Sequence, residues 1–434
     1  MFTIILTILI IIFLLINFKV YKNIINYLNI FLIMYYLIML LSNSGIYGFS
    51  IPSEKTNAYL LIALISLEFF SLLFMKIKLN VEETNKKEIL NRKRLLFISI
   101  VVTILMIPTT IEGIKILSEQ GFTAVRSAAF SDDIYSSYTK IFLVYILMPL
   151  NKVIYIYSLL DYVKNKKIKL PLVFSVVNVF QIVATLGGRS VLLDFIMISV
   201  VIVFEKYNRK IFEVFKKNKK IIIISALLLI IMVAVTNDRS LDDKKGVIFN
   251  LYSYYVGSIN LFDIHLQNPE ISLLDGEHLL YGKGILNPLL DIAKISLKTI
   301  GINTDIVTGT EIINEQVQQY ITVKNGLKMN NNVTFLYVCL RDFDIYGLII
   351  GPAYIALWFS IIYKLYTKKK CIKTDALYFY LVSILPYFVF EFYINKTTFL
   401  LTIIFIILIY NFVYKRKEKK NEKQLYLQNN KSTE

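Results

Sequence analysis

The sequence TNDRSLDDKKGVIFNLYSYYVGSINLFDIHLQNPE, residues 236–270, opens the one long segment of this chain that lies between hydrophobic runs. That segment covers residues 236–344, and the rest of the chain alternates apolar runs with short basic connections. Apolar runs of roughly 16–22 residues are typical of transmembrane helices, because a helix satisfies its own backbone hydrogen bonds in lipid. The sequence therefore predicts an all-α polytopic bundle with one large loop in its second half.

Composition and charge narrow the class of protein further. The chain has 434 residues, is 56% hydrophobic and has a mean hydropathy of +0.59, which excludes an ordinary soluble enzyme. The net charge of +17 lies in clusters between the apolar runs, so we do not expect nucleic acid as a partner. The two cysteines, Cys339 and Cys371, are predicted on opposite sides of the membrane, which argues against a disulfide between them.

The connections predict the topology, because every odd-numbered one is rich in Lys and Arg. By the positive-inside rule these connections face the cytoplasm, so the N-terminus and the long loop lie outside. About eleven spans are predicted, within a range of 10–12, at residues 2–17, 24–42, 57–76, 96–112, 140–162, 170–187, 190–205, 221–236, 345–363, 375–392 and 397–414. The predicted units are an N-terminal bundle (1–236), the external loop (237–344), C-terminal spans (345–414) and a disordered cytoplasmic tail (415–434).

Two helices are predicted within the long loop. Residues 246–263 are apolar but interrupted by polar residues, which favours a re-entrant or protein-buried helix. A second helix begins with Asn287 as N-cap and Pro288 in its first turn. Its apolar residues recur at helical spacing, which predicts an amphipathic helix on the bundle or at the lipid interface: Leu286, Leu290, Ala293, Leu297 and Ile300. Residues 301–332 are predicted to be loop.

Two charged residues fall in the middle of predicted spans. A charge at the centre of a membrane helix costs about 2.5–3.5 kcal/mol on insertion scales, so each needs a partner or a function. Glu68 in the third span and Lys152 in the fifth lie at similar predicted depth, so we expect a buried structural pair. The alternative is a polar lining beneath an outward-facing cavity.

A second set of charges gathers at the predicted outer boundary. Such residues either anchor the helices by snorkelling or bind a common anionic ligand, since the arginine fork suits phosphate oxygens. The set comprises Arg126, Arg189, Asp194, Arg239, Arg341, Asp342 and Glu391. His265 and His278 have no partners at metal-ligand spacing, so ordinary loop roles and no metal site are predicted.

Three stretches of the sequence, together with the layout of the chain, carry a resemblance to a known family. The first is Thr185-Leu-Gly-Gly-Arg189, which leads directly into a span. The second is Tyr254-Tyr-Val-Gly-Ser-Ile-Asn-Leu261, with Tyr281-Gly282 and Asn287-Pro288 after it. The third is Asn332-Val-Thr-Phe-Leu336, followed by Asp342-Phe343 and Gly347. These stretches and the large external loop in the second half resemble the Wzy-type polymerases of O-antigen and capsule repeat units. The resemblance implies the plasma (inner) membrane of a bacterium. Asp344 departs from the glycine expected after Asp-Phe.

The resemblance implies a membrane-embedded glycosyltransferase that makes O-antigen, capsule or exopolysaccharide. A growing glycan on undecaprenyl diphosphate would be transferred to the terminal sugar of a lipid-linked repeat unit. No nucleotide or other cofactor is expected, because the donor carries its own diphosphate. Arg126, Arg189, Arg239 and Arg341 would stabilise that leaving group. Glu391, Asp342 and Asp194 are candidate bases, although binding geometry could supply most of the rate. The implied partners are the lipid-linked oligosaccharide and membrane lipid, with a chain-length regulator and a flippase as further candidates.

Three other functions are compatible with the sequence. A flippase would show charge through several spans and two related halves, and neither is evident. A ligase that moves the finished glycan shares this layout and is associated with a loop histidine, which keeps His265 and His278 of interest. A non-enzymatic membrane scaffold is the third.

Overall fold

In the computed structural model, the described residues are 2–23, 26–80, 86–130, 135–206, 219–238, 247–302, 304–317, 321–323, 328–329, 333–369 and 371–418. Within these ranges the chain is predominantly α-helical. Six helical segments are long and apolar enough to cross a membrane, and four shorter helices are also apolar. The prediction of an all-α membrane protein is therefore confirmed. The number of spans and the orientation in the membrane stay predictions.

The first half of the chain is a series of apolar helices. They are α1 (Phe2–Tyr21), α2 (Tyr27–Ser42), α3 (Glu54–Lys76), α4 (Arg92–Phe130), α5 (Ser137–Ile141), α6 (Met148–Asn165), α7 (Leu170–Leu186), α8 (Arg189–Lys206) and α9 (Lys219–Asp238). A 3-10 turn at Ile46–Gly48 precedes α3, and a π-helical segment, Phe142–Leu147, joins α5 to α6. Pro149 follows that segment, and its missing N–H disturbs the regular α-helical ladder before it.

Helix α4 is longer than the predicted span 96–112. It continues to Phe130 through a break at Gly121, where φ is +80°. Residues after 112, which were predicted to form an outer connection, are therefore part of this helix. Its packing against α7 depends on Gly113, because an added Cβ there would lie 2.2 Å from the carbonyl oxygen of Ala184. Small residues that let two helix backbones approach are typical of membrane bundles.

The second half contains shorter helices. They are α10 (Val247–Gln267), α11 (Pro269–Ser272), α12 (Asn287–Thr299), α13 (Gly309–Val317), α14 (Phe335–Phe343), α15 (Gly347–Lys369), α16 (Ile372–Ser383) and α17 (Thr397–Val413). The 3-10 turns are Asp344–Tyr346, Leu385–Val389 and Tyr393–Asn395. The predicted span 375–392 is not one regular α-helix, because α16 ends at Ser383 and Pro386 follows in a 3-10 turn, but residues 372–389 together are long and apolar enough to cross a membrane.

Two short antiparallel ribbons complete the structure. Strand β1 (Lys86–Leu90) pairs with β4 (Tyr414–Glu418), and β2 (Ile321–Thr322) pairs with β3 (Lys328–Met329). The prediction of a plain loop at 301–332 is wrong in part, since this region contains α13 and the smaller ribbon.

One end of the bundle, which we call the basic end, gathers the Lys-rich connections. Arg92 forms a bidentate pair with Asp161 through two contacts of 2.9 Å, and Lys206 pairs with Asp375. Lys364 donates to the carbonyl of Phe74 at 2.6 Å. The β1–β4 ribbon lies at the same end. These contacts join connections that are far apart in sequence.

The opposite end, which we call the loop end, carries the described residues between 268 and 346. Helix α10 is fixed there by Asp263, which accepts hydrogen bonds from the N–H of Ser53 (2.9 Å) and the hydroxyl of Thr56 (2.7 Å). The Asn287 side chain donates to the carbonyl of Asn395 at 3.1 Å. The long loop is thus bound to the helix ends by buried polar contacts.

The predicted amphipathic helix is present as α12, but Asn287 is not its N-cap. Asn287 is the first helical residue, and its side chain also donates to Asp291 at 2.9 Å. The polar side of α12 faces the protein, because Asp291 accepts a 2.6 Å hydrogen bond from Thr397. Leu286, before α12, and Ile300, after it, remain 47% and 70% exposed. This arrangement suits a helix whose apolar side meets lipid.

Candidate functional site

The most concentrated buried charge in the bundle lies between α6 and α8. Lys152 on α6 forms an ion pair with Asp194 on α8, and both side chains are buried. Lys152 also donates to the phenolic oxygen of Tyr393 at 3.0 Å, and the Tyr393 hydroxyl donates to Asp194 at 3.4 Å. A buried ion pair needs such additional hydrogen bonds to offset desolvation. The three side chains form one polar cluster.

The irregular segment between α16 and α17 brings aromatic rings to this cluster. The ring of Tyr387 lies 4.8 Å from that of Tyr393, and its hydroxyl donates to the carbonyl of Ser190 at 3.3 Å. The ring of Phe390 lies 5.4 Å from Tyr387 on one side and 5.6 Å from Tyr255 of α10 on another. Because 3-10 turns replace helix here, successive aromatic residues point in directions that a regular helix would not give.

A cleft of about 110 Å³ lies beside these rings. Its walls come from α8, α9, α10 and the segment after α16, and they are mainly apolar and aromatic. The lining residues are Ser190, Leu193, Met232, Val233, Asn250, Leu251, Tyr254, Tyr255, Tyr387 and Phe390. The ring of the lining residue Tyr387 lies 4.8 Å from that of Tyr393, so the polar cluster lies directly behind this wall. An apolar cleft with a few polar groups is the usual form of a binding site for an amphipathic ligand.

The turn from α7 to α8 is as short as the sequence suggested, and it contacts Arg126. Gly187 ends α7 with φ at +60°, and a Cβ at this position would lie 2.9 Å from the backbone nitrogen of Arg126. A Cβ at Gly188 would lie 3.7 Å from an Arg126 guanidinium nitrogen. The turn is therefore built around Arg126. The side chain of Arg189, and the whole of Arg239, lie outside the described residues.

Glu391 lies next to Phe390 in the cleft wall and is within electrostatic range of Lys152. Its carboxylate contacts the ammonium group of Lys396 at 2.5 Å, and its side chain is 25% exposed. The same ammonium group lies 5.2 Å from the centre of the Tyr393 ring. Of the three predicted carboxylates, Glu391 is the one that solvent can reach.

Arg341 and Asp342 form hydrogen bonds with backbone groups inside the loop end. Arg341 is 1% exposed, and its guanidinium donates to the carbonyls of Leu273 (2.6 Å) and His278 (2.5 Å). Asp342 is fully buried and accepts from the N–H groups of Gly284 (2.8 Å) and Ile285 (2.6 Å). These bonds fold residues 273–285 onto α14. Their geometry favours positioning roles for both residues, and no described contact places them at the cleft.

The predicted pair between Glu68 and Lys152 is wrong. Lys152 pairs with Asp194, whereas Glu68 accepts a hydrogen bond from the Asn17 amide at 3.0 Å. Similar depth in the membrane does not set which faces of two helices meet. That depends on the rotation of each helix, and α3 turns Glu68 towards α1.

The two histidines occupy different environments in the loop. His265 at the end of α10 is 2% exposed, and burial lowers its pKa to about 4, so it is neutral. His278 is exposed and its ring nitrogen contacts Asp275 at 2.7 Å. Desolvation acts to raise the pKa of the Asp275 carboxyl, but its hydrogen bonds with His278 and Glu277 together lower that pKa overall. Among the described residues no group of three His, Cys, Asp or Glu side chains could hold a metal ion.

A larger cavity, of about 630 Å³, lies at the basic end. It is lined by residues that already bind one another, including the pairs Arg92–Asp161 and Lys206–Asp375. Because its carboxylates are satisfied from within the chain, volume alone does not make it a stronger candidate than the smaller cleft. The loop-end cleft is the site at which predicted functional residues meet an apolar surface.

The sequence missed the aromatic and lysine members of this site. Tyr387, Phe390, Tyr393 and Lys396 were placed in or beside a regular span. Pro386, at the start of this stretch, was the available signal that the helix would end and that these side chains would diverge. Comparison of the chain with protein families, curated proteins and solved structures gave no match.

Proposed function

We propose that this protein is a polymerase of lipid-linked oligosaccharide repeat units, acting at the loop end of the bundle. The observation that carries the proposal is the apolar, tyrosine-lined cleft beside Glu391 and the Lys152–Asp194–Tyr393 cluster. The apolar and aromatic walls of the cleft suit a short stretch of a polyprenyl chain, and the polar groups beside it suit the diphosphate and sugars that such a chain carries. The basic end would face the cytoplasm, in keeping with the positive-inside pattern.

In the proposed reaction an acceptor hydroxyl attacks the anomeric carbon of the growing glycan. A new C–O bond forms, and the bond from that carbon to the diphosphate breaks. The diphosphate leaves with the electron pair, and the hydroxyl proton passes to Glu391. Glu391 is the candidate base because it is partly exposed, whereas Asp194 is buried against Lys152 and Asp342 accepts two backbone N–H groups. Arg126, with Arg189 and Arg239 as sequence candidates, would stabilise the leaving diphosphate.

The test is a gene deletion followed by analysis of glycan size and of the lipid-linked pool. A polymerase predicts that long chains vanish while single lipid-linked units still reach the outer face. Accumulation of full-length polymer on lipid would instead identify a ligase, and units trapped on the cytoplasmic face would identify a flippase. Purified full-length protein in liposomes, given a synthetic lipid-linked repeat unit, should then produce a ladder of longer glycans without nucleotide.

A ligase is the second candidate, because it would share the cleft and the loop. Ligases of this type are associated with a loop histidine, so the positions of His265 and His278 bear on this alternative. His265 is buried against the ring of Tyr337 at 5.1 Å between centroids, and His278 is bound to Asp275. Neither contact brings a histidine to the cleft, which favours the polymerase.

A further inference from the structure

The contact between α1 and α3 contains a carboxyl group with no cation. Glu68 is 2% exposed and Asn17 is fully buried. The Asn17 amide nitrogen donates to one Glu68 carboxyl oxygen at 3.0 Å. The second carboxyl oxygen and the amide oxygen of Asn17 are both buried without a hydrogen-bond partner in the described structure. The Glu68 carboxyl group and the Asn17 amide, which contact each other, thus each contain one oxygen without a hydrogen bond.

Among the described residues, no positively charged side chain acts on the Glu68 carboxyl group. The titratable groups that face Glu68 are the phenols of Tyr21 on α1 and Tyr27 on α2, and Tyr363 of α15 lies beside Tyr21. The nearest cation along α15, Lys364, is directed to backbone carbonyls of α3 and the residue after it. Within the described residues Glu68 has no ion pair. An unpaired carboxylate in such a position carries the full cost of its desolvation.

Both unpaired oxygens are acceptors, so an ionised Glu68 leaves them unsatisfied and mutually repulsive. One added proton changes this balance, because the carboxylic acid gains an O–H donor. That O–H can donate to the Asn17 amide oxygen while the amide N–H continues to donate to the acid. The result is a closed acid–amide pair with two hydrogen bonds and no net charge. We infer that Glu68 is a proton-binding site that links α1 to α3 through Asn17.

The consequence concerns helix α1, which has few other buried contacts. Only Leu6, Ile10, Asn17 and Tyr21 of this helix are buried. Loss of the proton at high pH would break one of the two bonds and place a charge in the contact, which weakens the docking of α1 on α3. This inference does not rest on the proposed function. The ligand is a proton, and a metal cation would need more oxygen ligands than the cluster provides.

The experiment is infrared difference spectroscopy on the purified full-length protein in nanodiscs at neutral pH. Glu68→Gln should remove the carbonyl band of a protonated carboxylic acid, one that shifts in D₂O, and should leave the folded state intact because Gln can form the same two bonds. Asp161→Asn is the matched control, since Asp161 is also buried but pairs with Arg92, and it should remove only carboxylate bands.

Loss of only ionised carboxylate bands in Glu68→Gln would overturn the inference. If that variant does not fold, the wild-type protein alone decides the question. Its protonated-acid band should be present at neutral pH and disappear as pH rises, together with part of the thermal stability. Absence of such a band at neutral pH would also overturn the inference.

Discussion

Lys152 and Asp194 are bound to each other on facing sides of α6 and α8, and Tyr393 donates to the same carboxylate. The pair lies behind the wall of the cleft, because the ring of the lining residue Tyr387 packs against Tyr393. This geometry explains why two charges are tolerated within apolar helices. It also suggests that their effect on the site is to position Tyr393 and Tyr387.

The first prediction concerns that pair. Lys152→Leu or Asp194→Leu alone should cost about 3–5 kcal/mol of stability, because each leaves an uncompensated buried charge. The double variant should recover most of this loss and much of the polymer length, which thermal unfolding and glycan gels would measure. A double variant that is stable but makes no polymer would show that one of the two groups contacts substrate.

The second prediction separates the candidate bases. Glu391→Gln should lower kcat by about 100- to 10,000-fold with little change in thermal stability, because it removes a partly exposed base. Asp342→Asn is the control and should behave in the opposite way. It replaces an acceptor of two N–H groups and should cost about 1–3 kcal/mol of stability while leaving the activity of the folded fraction near normal. The reverse pattern would move the base to Asp342.

The third prediction uses the two glycines between α7 and α8. Gly187→Ala should destabilise the turn by about 1–2 kcal/mol from its left-handed backbone alone. The approach of 2.9 Å to the Arg126 nitrogen adds to that loss. Gly188→Ala has room and should fold normally. Expression and unfolding temperature of both variants provide the measurement. Equal damage by the two changes would point to a chemical role for the turn that its packing does not explain.

The fourth prediction tests the cleft as a lipid site. Phe390→Ala or Tyr254→Ala should raise KM for a long-chain lipid-linked substrate and change kcat little, because the contact is made equally in the ground and transition states. The same changes should have less effect on an analogue with a short prenyl chain. Tyr346→Ala, at a 70% exposed position, is the control. An equal effect on both substrates would argue against lipid in this cleft.

The fifth prediction concerns pH and the contact between α12 and α13. Burial acts to raise the pKa of Glu311, but Lys294 at 2.6 Å and the N–H of Thr308 lower it overall. A lowered folded-state pKa gives stability that is present above the unfolded pKa and is lost as pH falls through the folded one. Since the pair is half exposed, the effect should be at most about 1 kcal/mol.

Limited proteolysis of residues 300–310 as the pH is lowered would measure this contribution. Glu311→Gln should remove the pH dependence and make the segment as accessible at neutral pH as the wild type is at low pH. No difference between the two proteins would show that the ion pair contributes nothing to holding α12 and α13 together.

The hydropathy pattern predicted an α-helical membrane protein, because the length of the apolar runs is enough to identify membrane helices. The amphipathic helix from Asn287 was also predictable, since Pro288 and a helical period mark it. The partner of Lys152 was not, because pairing depends on how α6 and α8 rotate about their axes. Nor did the sequence show that Arg341 and Asp342 are directed towards backbone groups of the loop. Those contacts follow from a chain path that charge and periodicity do not specify.

The β1–β4 ribbon has a consequence for how the protein is made. Residues 86–90 follow the third helix to be synthesised, yet their pairing partner, residues 414–418, follows the last described helix. The Glu88 carboxylate likewise accepts a hydrogen bond from the N–H of Ile372, which is synthesised much later. The first strand must therefore remain an open edge while most of the chain is translated and inserted. The β1–β4 pairing therefore forms late in assembly and completes the bundle. Truncations before residue 414 should leave the edge of β1 exposed to quality-control proteases.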